Sequence, residues 1–337
     1  MQPETACTSA QKKGEDMFTD FKEASEFVRR EGIQLVDLVY SDLWGRMHHL
    51  TLDAREFTPR IMTQGVGFDG SSVGFKHVHA GDMVLIPDLN TAFRDPFHQA
   101  PTLAFLCGIF EADTKERYPF DPREMVRRAE ANMIASGIAD KSLWGPEFEF
   151  YIFDQITLKN SSALTLCQIE SGEANWGSLV NASGYSLPDN QGYHAAPPCD
   201  NYFQIRDEIV VTLAKMGIPV KYHHHEVGGP GQSEIETPLL GITAAGDAAV
   251  LIKYAVKMVA MRAGKTATFL PKPVFGLAGN STHYHQMLHK DQVNLFYDPQ
   301  GLSLLSQTAL QYIGGLLGHA PAVMAFTNPS ANSYRRL

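Results

Sequence analysis

The sequence predicts an α+β protein in two parts: a small N-terminal domain on a mainly antiparallel sheet, and a larger catalytic domain of interleaved strands and helices. Three observations lead there. The chain has 337 residues, about two domains' worth. Strand-like runs separated by turn signals dominate up to residue 110. Beyond residue 120, helical apolar spacing alternates with strand-like runs that carry acidic groups.

Taken in order, residues 1–16 are polar and read as a disordered lead-in, followed by domains at 17–115 and 120–337. Phe18, Phe21, Ala24 and Val28 recur at helical spacing, predicting a helix from Phe18 to Arg30 with Gly32 as its stop. Gln34 to Tyr40 reads as a strand, Asp42-Leu43-Trp44-Gly45 as a turn and Met47 to Leu52 as the returning strand. Met83 to Ile86 and Thr102 to Ile109 are further strands. Asp121-Pro122 starts a helix to about Ser136, with proline at the first helical position. Gly145 to Phe153 is aromatic-rich and predicted as a strand bounded by Gly145-Pro146. Ser161 to Gly192 reads as a long excursion rich in Ser, Asn and Gly. A helix over Ile205 to Met216 and a strand over Val220 to Val227 lead to the turn Gly228-Gly229-Pro230-Gly231, with Gln232 to Glu236 returning. Helices are predicted over Ala244 to Ala263 and over Leu302 to His319, the latter bounded by Pro321, with a short strand at Thr266 to Leu270 between them.

Composition removes several classes of function. Net charge is −9 and no Lys/Arg run reaches four, so neither nucleic acid nor an anionic membrane is an expected partner. No apolar run spans a membrane, and Asp247 and Gly318-His319 interrupt the best candidates. The first 16 residues hold no apolar signal core, and Cys7, Cys107, Cys167 and Cys199 are scattered without metal-ligand spacing. A cytoplasmic location is expected.

The chemistry gathers in three places. In Glu147-Phe148-Glu149-Phe150, strand alternation puts both carboxylates on one face, about 6.6 Å apart. Such a pair repels unless a cation lies between or above it, and divalent ions take carboxylate oxygens. An ordinary strand with a solvated acidic face is the competing reading. The second place is the hairpin His223-His224-His225-Glu226, turn, Gln232-Ser233-Glu234, where Glu226 and Glu234 can converge. The three histidines cannot share a face, so at least one has a structural role. The third is Pro271-Lys272-Pro273-Val274-Phe275-Gly276-Leu277-Ala278-Gly279-Asn280-Ser281-Thr282-His283-Tyr284-His285. Its small residues let backbone N–H groups approach an anion, and His283 and His285 share a face if they lie in a strand. Gly264-Lys265-Thr266 lacks the upstream glycine of a Walker motif, and no GxGxxG or GxSxG is present.

Phe68-Asp69-Gly70-Ser71-Ser72, Gly145-Pro146-Glu147-Phe148-Glu149-Phe150, His224-His225-Glu226 with Gly231-Gln232 and Glu234, Gly264 to Phe269, and Asn332-Ser333-Tyr334-Arg335-Arg336-Leu337 occur in that order. Together, over roughly residues 20–337, they resemble the type I glutamine synthetases of bacteria and archaea. The resemblance implies a β-grasp-like N-terminal domain and a catalytic α/β domain with a curved antiparallel sheet. The implied reaction joins ammonia to the γ-carboxylate of glutamate through γ-glutamyl phosphate, with ATP as phosphoryl donor. Two Mg²⁺ or Mn²⁺ ions are implied per site, one on Glu149, Glu226 and Glu234, the other on Glu147 and His283. His285 then looks like an ATP phosphate contact, and Gly279 and Arg336 like parts of the glutamate site. Asp69 looks like the ammonium-binding aspartate, supplied across a subunit interface of a homo-oligomer of two hexameric rings; its structural alternative is a turn cap.

The chain departs from the family pattern at Ala278, Ser281 and Met287, where asparagine, glycine and serine are usual, and at Pro238-Leu239, which replace a basic-aromatic pair. Gly81 stands for a serine. It also ends at Leu337, where family members continue with further metal- and phosphate-binding residues, so little or no synthetase activity is expected of this polypeptide alone. Two rival functions are a γ-glutamyl–amine ligase with a polyamine-type acceptor and a catalytically silent family member.

Overall fold

A computed structural model describes residues 18–176 and 184–337; the lead-in 1–16 and positions 177–183 of the predicted excursion lie outside the described residues. The chain divides into two compact units, Met1–Glu124 with Lys215–Gly217, and Met125–Ala214 with Ile218–Leu337.

In the first unit, α1 (Phe21–Arg30) begins where Asp20 accepts a hydrogen bond from the Glu23 N–H at 2.9 Å, and ends before Gly32 at φ +63°. Its buried face, Ala24, Phe27 and Val28, joins a core with Val36, Leu38, Leu103 and Phe105. The strands are β1 (Leu35–Ser41), β2 (Met47–Asp53), β3 (Val66–Asp69), β4 (Asp82–Pro87), β5 (Phe93–Arg94) and β6 (Thr102–Glu111), with the one-turn helix α2 (Ile61–Gln64) before β3. They form a sheet ordered β2-β1-β6-β4-β3, with β5 also on β6. The β1–β6 pair is parallel and the others antiparallel. Thr102 to Ile109 is buried throughout, as a central strand covered on both faces should be. The helix predicted from Asp121-Pro122 is α3 (Pro122–Ala135).

The second unit is built on one long strand, β7 (Lys141–Phe153). The remaining strands are β8 (Gln155–Asn160), β9 (Thr165–Glu170), β10 (Tyr222–His225), β11 (Gln232–Glu236), β12 (Leu240–Gly241), β13 (Thr266–Thr268), β14 (Thr282–Lys290) and β15 (Val293–Asn294). The helices are α4 (Phe203–Lys215), α5 (Ile242–Arg262), α6 (Gln307–Gly318), α7 (Ala320–Thr327) and α8 (Ser333–Arg336). The main sheet runs β10-β11-β7-β14-β15, with β12 and β13 also pairing β7, all antiparallel. Phe148, Phe150 and Ile152 point away from the acidic side, and α5 packs against β7 through a buried apolar face including Ile252, Ala255, Val256 and Val259.

Five expectations are corrected. Gly145-Pro146 is not the boundary of its strand but lies inside β7. β11 pairs residues 147–151 and β12 pairs 143–144, so Pro146 falls in the gap between them. Its missing N–H is needed by no neighbour, and its carbonyl accepts from the Thr237 N–H at 3.0 Å. The excursion begins later than predicted, because β9 pairs with β8 as a two-stranded ribbon. Val220 and Val227 lie outside β10. The helix predicted over 302–319 begins only at Gln307, because Ser303 and Leu304 take positive φ and Ser306 caps α6. Pro321 does not end a helix but sits in the first turn of α7, where its missing N–H costs no helical bond.

Candidate metal centre

Strand register builds two rows of ligand-type side chains on the face of the sheet opposite α5. One row runs His224, Glu234, Glu149, since His224 opposes Glu234 and Glu234 opposes Glu149. The other runs Glu236, Glu147, His283, because Glu236 and His283 flank Glu147 on its two neighbouring strands. The rows are two residues apart, about 6.6 Å along the strands.

Two triads converge. His224, Glu226 and Glu234 each offer one atom within 4.8 Å of the others. The His224 ring nitrogens lie 3.6 Å from a carboxylate oxygen of Glu226 and 3.6 Å from one of Glu234. Glu226 Oε2 is buried and has no hydrogen-bond partner. Burial pushes the Glu226 carboxyl above the usual range, and the charges of Glu234 and Glu149 add to it. Burial works against a charged His224, but Glu234, the His225 carbonyl and Glu226 outweigh it and raise its pKa.

The second triad is Glu147, Glu236 and His285, also within 4.8 Å. His285 Nε2 lies 2.5 Å from Glu147 Oε1, and His283 Nδ1 lies 3.2 Å from Glu147 Oε2. Burial alone would raise the Glu147 carboxyl, but His285 and His283 hold it below its ordinary value. Glu236 accepts from Lys221 Nζ at 2.6 Å through one oxygen, while the other is buried without a partner.

Other candidate residues fall around these triads. Glu149 is buried and accepts from the Ser281 N–H at 3.0 Å, from the Ser281 hydroxyl, and from Gln232 Nε2 at 3.4 Å. It therefore stands beside the first triad rather than in it, and His283 Nδ1 lies 3.7 Å from it. Gly279 and Arg336 come together, since a Cβ on Gly279 would meet Arg336 Cγ at 2.9 Å and the Pro271 carbonyl oxygen at 2.3 Å. Gln232, fully buried, links the groups by donating to the Gly279 carbonyl at 3.2 Å. Asp69 belongs to the first unit, where it accepts from the Ser71 N–H at 2.9 Å and the Ser72 hydroxyl at 2.7 Å. Those bonds lower its pKa, the arrangement of a turn cap. A Cβ at position 81 would lie 2.4 Å from Asp69 Oδ1, so the glycine there leaves room for that carboxylate.

Two family models match the chain, a glutamine synthetase β-grasp domain over residues 32–112 and a glutamine synthetase catalytic domain over 119–337. The chain belongs to the glutamine synthetase family. Its fold is accordingly a β-grasp domain followed by the family's ligase domain with a curled antiparallel sheet. It is 44% identical over 325 residues to a Streptomyces coelicolor glutamine synthetase, covering 95% of this chain and 68% of that protein. It is 41% identical over 317 residues to one from Aquifex aeolicus, covering 94% and 67%. A Plasmodium falciparum glutamine synthetase structure superposes with TM-score 0.88 at 27% identity, over 95% of this chain and 64% of that one. A GmaS/ADP complex superposes with TM-score 0.77 at 25% identity, over 95% and 67%. The chain thus spans about two thirds of the length of these relatives. Among the described residues no helix is long and apolar enough to cross a membrane.

Glutamine synthetase family membership does not by itself select His224 and Glu236, which the sequence reading passed over as ligands. The signal for Glu236 was present: Glu234-Ile235-Glu236 repeats the alternation of Glu147-Phe148-Glu149 on the neighbouring strand. Of the three histidines, His225 is the structural one, fully buried between the Glu226 carbonyl at 2.9 Å and Glu173 at 3.0 Å. His223 lies 3.0 Å from Asp207.

Proposed function

We propose that this protein ligates ammonia to the γ-carboxylate of L-glutamate with ATP as phosphoryl donor, forming glutamine through γ-glutamyl phosphate. The observation that carries the reading is the pair of carboxylate–imidazole triads on adjacent rows of one sheet, each with a buried carboxylate oxygen lacking a partner. Those oxygens and that donor set fit hard or borderline divalent cations such as Mg²⁺ or Mn²⁺. Glu226 and Glu234, with Glu149 adjacent, would hold one ion, and Glu147 with His283 or His285 the other. When bound, such ions neutralise the negative charge of nucleotide phosphates and of the glutamate carboxylate as the phosphoryl group passes between them.

The protein's own groups supply positioning. Arg336, against Gly279, is suited to hold the glutamate carboxylate as a charge-assisted pair. His285 would contact the nucleotide phosphates; one superposed relative is a GmaS/ADP complex. Asp69, already ionised by its Ser71 and Ser72 bonds, can bind ammonium and take up its proton from a neighbouring copy in a ring-shaped homo-oligomer.

Purified protein would be given Mg²⁺, ATP and L-glutamate, with ammonium or a panel of primary amines and polyamines, while ADP and ligated product are followed by mass spectrometry. Even a low rate of glutamine formation, above the background of a Glu226→Gln variant, supports the reading. A γ-glutamyl amine without glutamine would move the assignment to an amine ligase. No binding of metal or nucleotide would move it to a silent family member.

A further inference from the structure

We infer that Glu236 is itself a cation ligand, completing with Glu147 and His285 a three-residue divalent site in which Lys221 fixes the carboxylate from behind. The inference rests on the two-cation reading above and assigns it a residue that the motif comparison did not supply.

Glu236 is 4% exposed and directly opposes Glu147 across the β11–β7 pair. Like charges facing each other across a strand pair are destabilising, and a buried carboxylate is retained only when both oxygens are satisfied. Lys221 Nζ satisfies one oxygen at 2.6 Å. The other has no partner, and it belongs to the residue that converges with a Glu147 oxygen and a His285 nitrogen within 4.8 Å. A simple Lys–Glu ion pair explains the first oxygen and leaves the second unexplained. A cation answers both problems at once: it screens Glu147 from Glu236 and takes the orphaned lone pairs. Two carboxylates with one imidazole suit Mn²⁺ well.

The test is titration with Mn²⁺ alone, read by loss of the free-ion electron paramagnetic resonance signal, on the wild-type chain, Glu236→Gln and Lys221→Met. Wild type is expected to take two Mn²⁺ per chain. Glu236→Gln should weaken one of them about tenfold or more and leave the other unchanged, and Lys221→Met, by releasing the carboxylate that Lys221 holds in place, should weaken that same ion. Two ions bound by Glu236→Gln with unaltered affinities overturn the inference and leave the proposed function standing. No Mn²⁺ bound by the wild type overturns both. Should Glu236→Gln fail to fold, Lys221→Met decides, and an unchanged titration there counts against Glu236.

Discussion

Replacing Glu173 by glutamine tests whether the hairpin that presents Glu226 and Glu234 is held by a buried ion pair. Glu173 is fully buried. One of its oxygens accepts from the Asn201 N–H at 2.7 Å, and the other accepts from the Gly231 N–H at 2.6 Å and from His225 Nε2 at 3.0 Å. The other nitrogen of His225 faces the Glu226 carbonyl at 2.9 Å. Both ring nitrogens thus meet oxygens, one of the Glu226 backbone and one of the Glu173 side chain. Breaking a buried pair from one side costs about 3–5 kcal/mol, because the remaining charge is left uncompensated. Glutamine keeps the volume and one acceptor but turns an NH₂ group towards a backbone N–H. The expected cost is therefore about 3 kcal/mol, roughly a hundredfold in the local opening constant. With two units in the chain a single unfolding free energy is poorly defined, so the assay is native-state hydrogen exchange at the Gly231 amide. A Glu173→Leu/His225→Leu double variant should recover much of the lost protection. Unchanged exchange at Gly231 in Glu173→Gln would refute the ion-pair reasoning.

Three further perturbations follow from the same geometry. Asp154 is drawn below its ordinary pKa because bonds from Lys265, Tyr202 and the Gly172 N–H outweigh its burial. A depressed carboxyl stabilises the fold above the unfolded value and loses that contribution as pH falls through the folded one. Acid melts of the wild type should therefore show a loss below about pH 4 that Asp154→Asn flattens, at a cost of about 1–3 kcal/mol at neutral pH. Gly279→Ala drives a Cβ to 2.3 Å from the Pro271 carbonyl and 2.9 Å from Arg336. It should cost about 1–3 kcal/mol in thermal stability and weaken glutamate binding measured by calorimetry. Ser281→Ala removes the hydroxyl that engages Glu149 while keeping the N–H bond at 3.0 Å. With that carboxylate released towards the Glu226–Glu234 triad, Mn²⁺ should bind more tightly there, and unaltered affinity would show that the serine does not restrain Glu149.

Much of the fold was legible because its signals are local. The helical spacing behind α1, the proline opening α3 and the β7 alternation each act over a few residues, and each yields the element predicted, although α1 starts three residues later than Phe18 because Asp20 caps it. The failures have tertiary causes. Gly145-Pro146 marks the end of a strand only if every N–H must find a partner, and here two short strands share one edge of β7 and leave a gap at that proline. Pro321 likewise reads as a stop unless a second helix begins at once. The β8–β9 ribbon escaped because it is largely exposed, so selection for burial has not imprinted an alternating pattern on Thr165 to Glu170.

The site divides along the same line. Glu147 and Glu149 could be paired by counting along one strand, and Glu226 with Glu234 by folding one hairpin. The His224, Glu226 and Glu234 triad closes within that hairpin, but the pairing of Glu147 with Glu236 depends on register between strands more than 80 positions apart, and no local rule supplies that. Long-range register is what sets Glu236 against Glu147, as the hairpin register sets His224 against Glu234. It also leaves Glu149 to Ser281, whose hydroxyl occupies an oxygen that a glycine would have left open. The proposed ligand set is thus decided less by which acids the chain carries than by which of them a neighbouring strand has already engaged. A buried oxygen left without a partner is therefore the more informative mark of a cation site than the motif in which it lies.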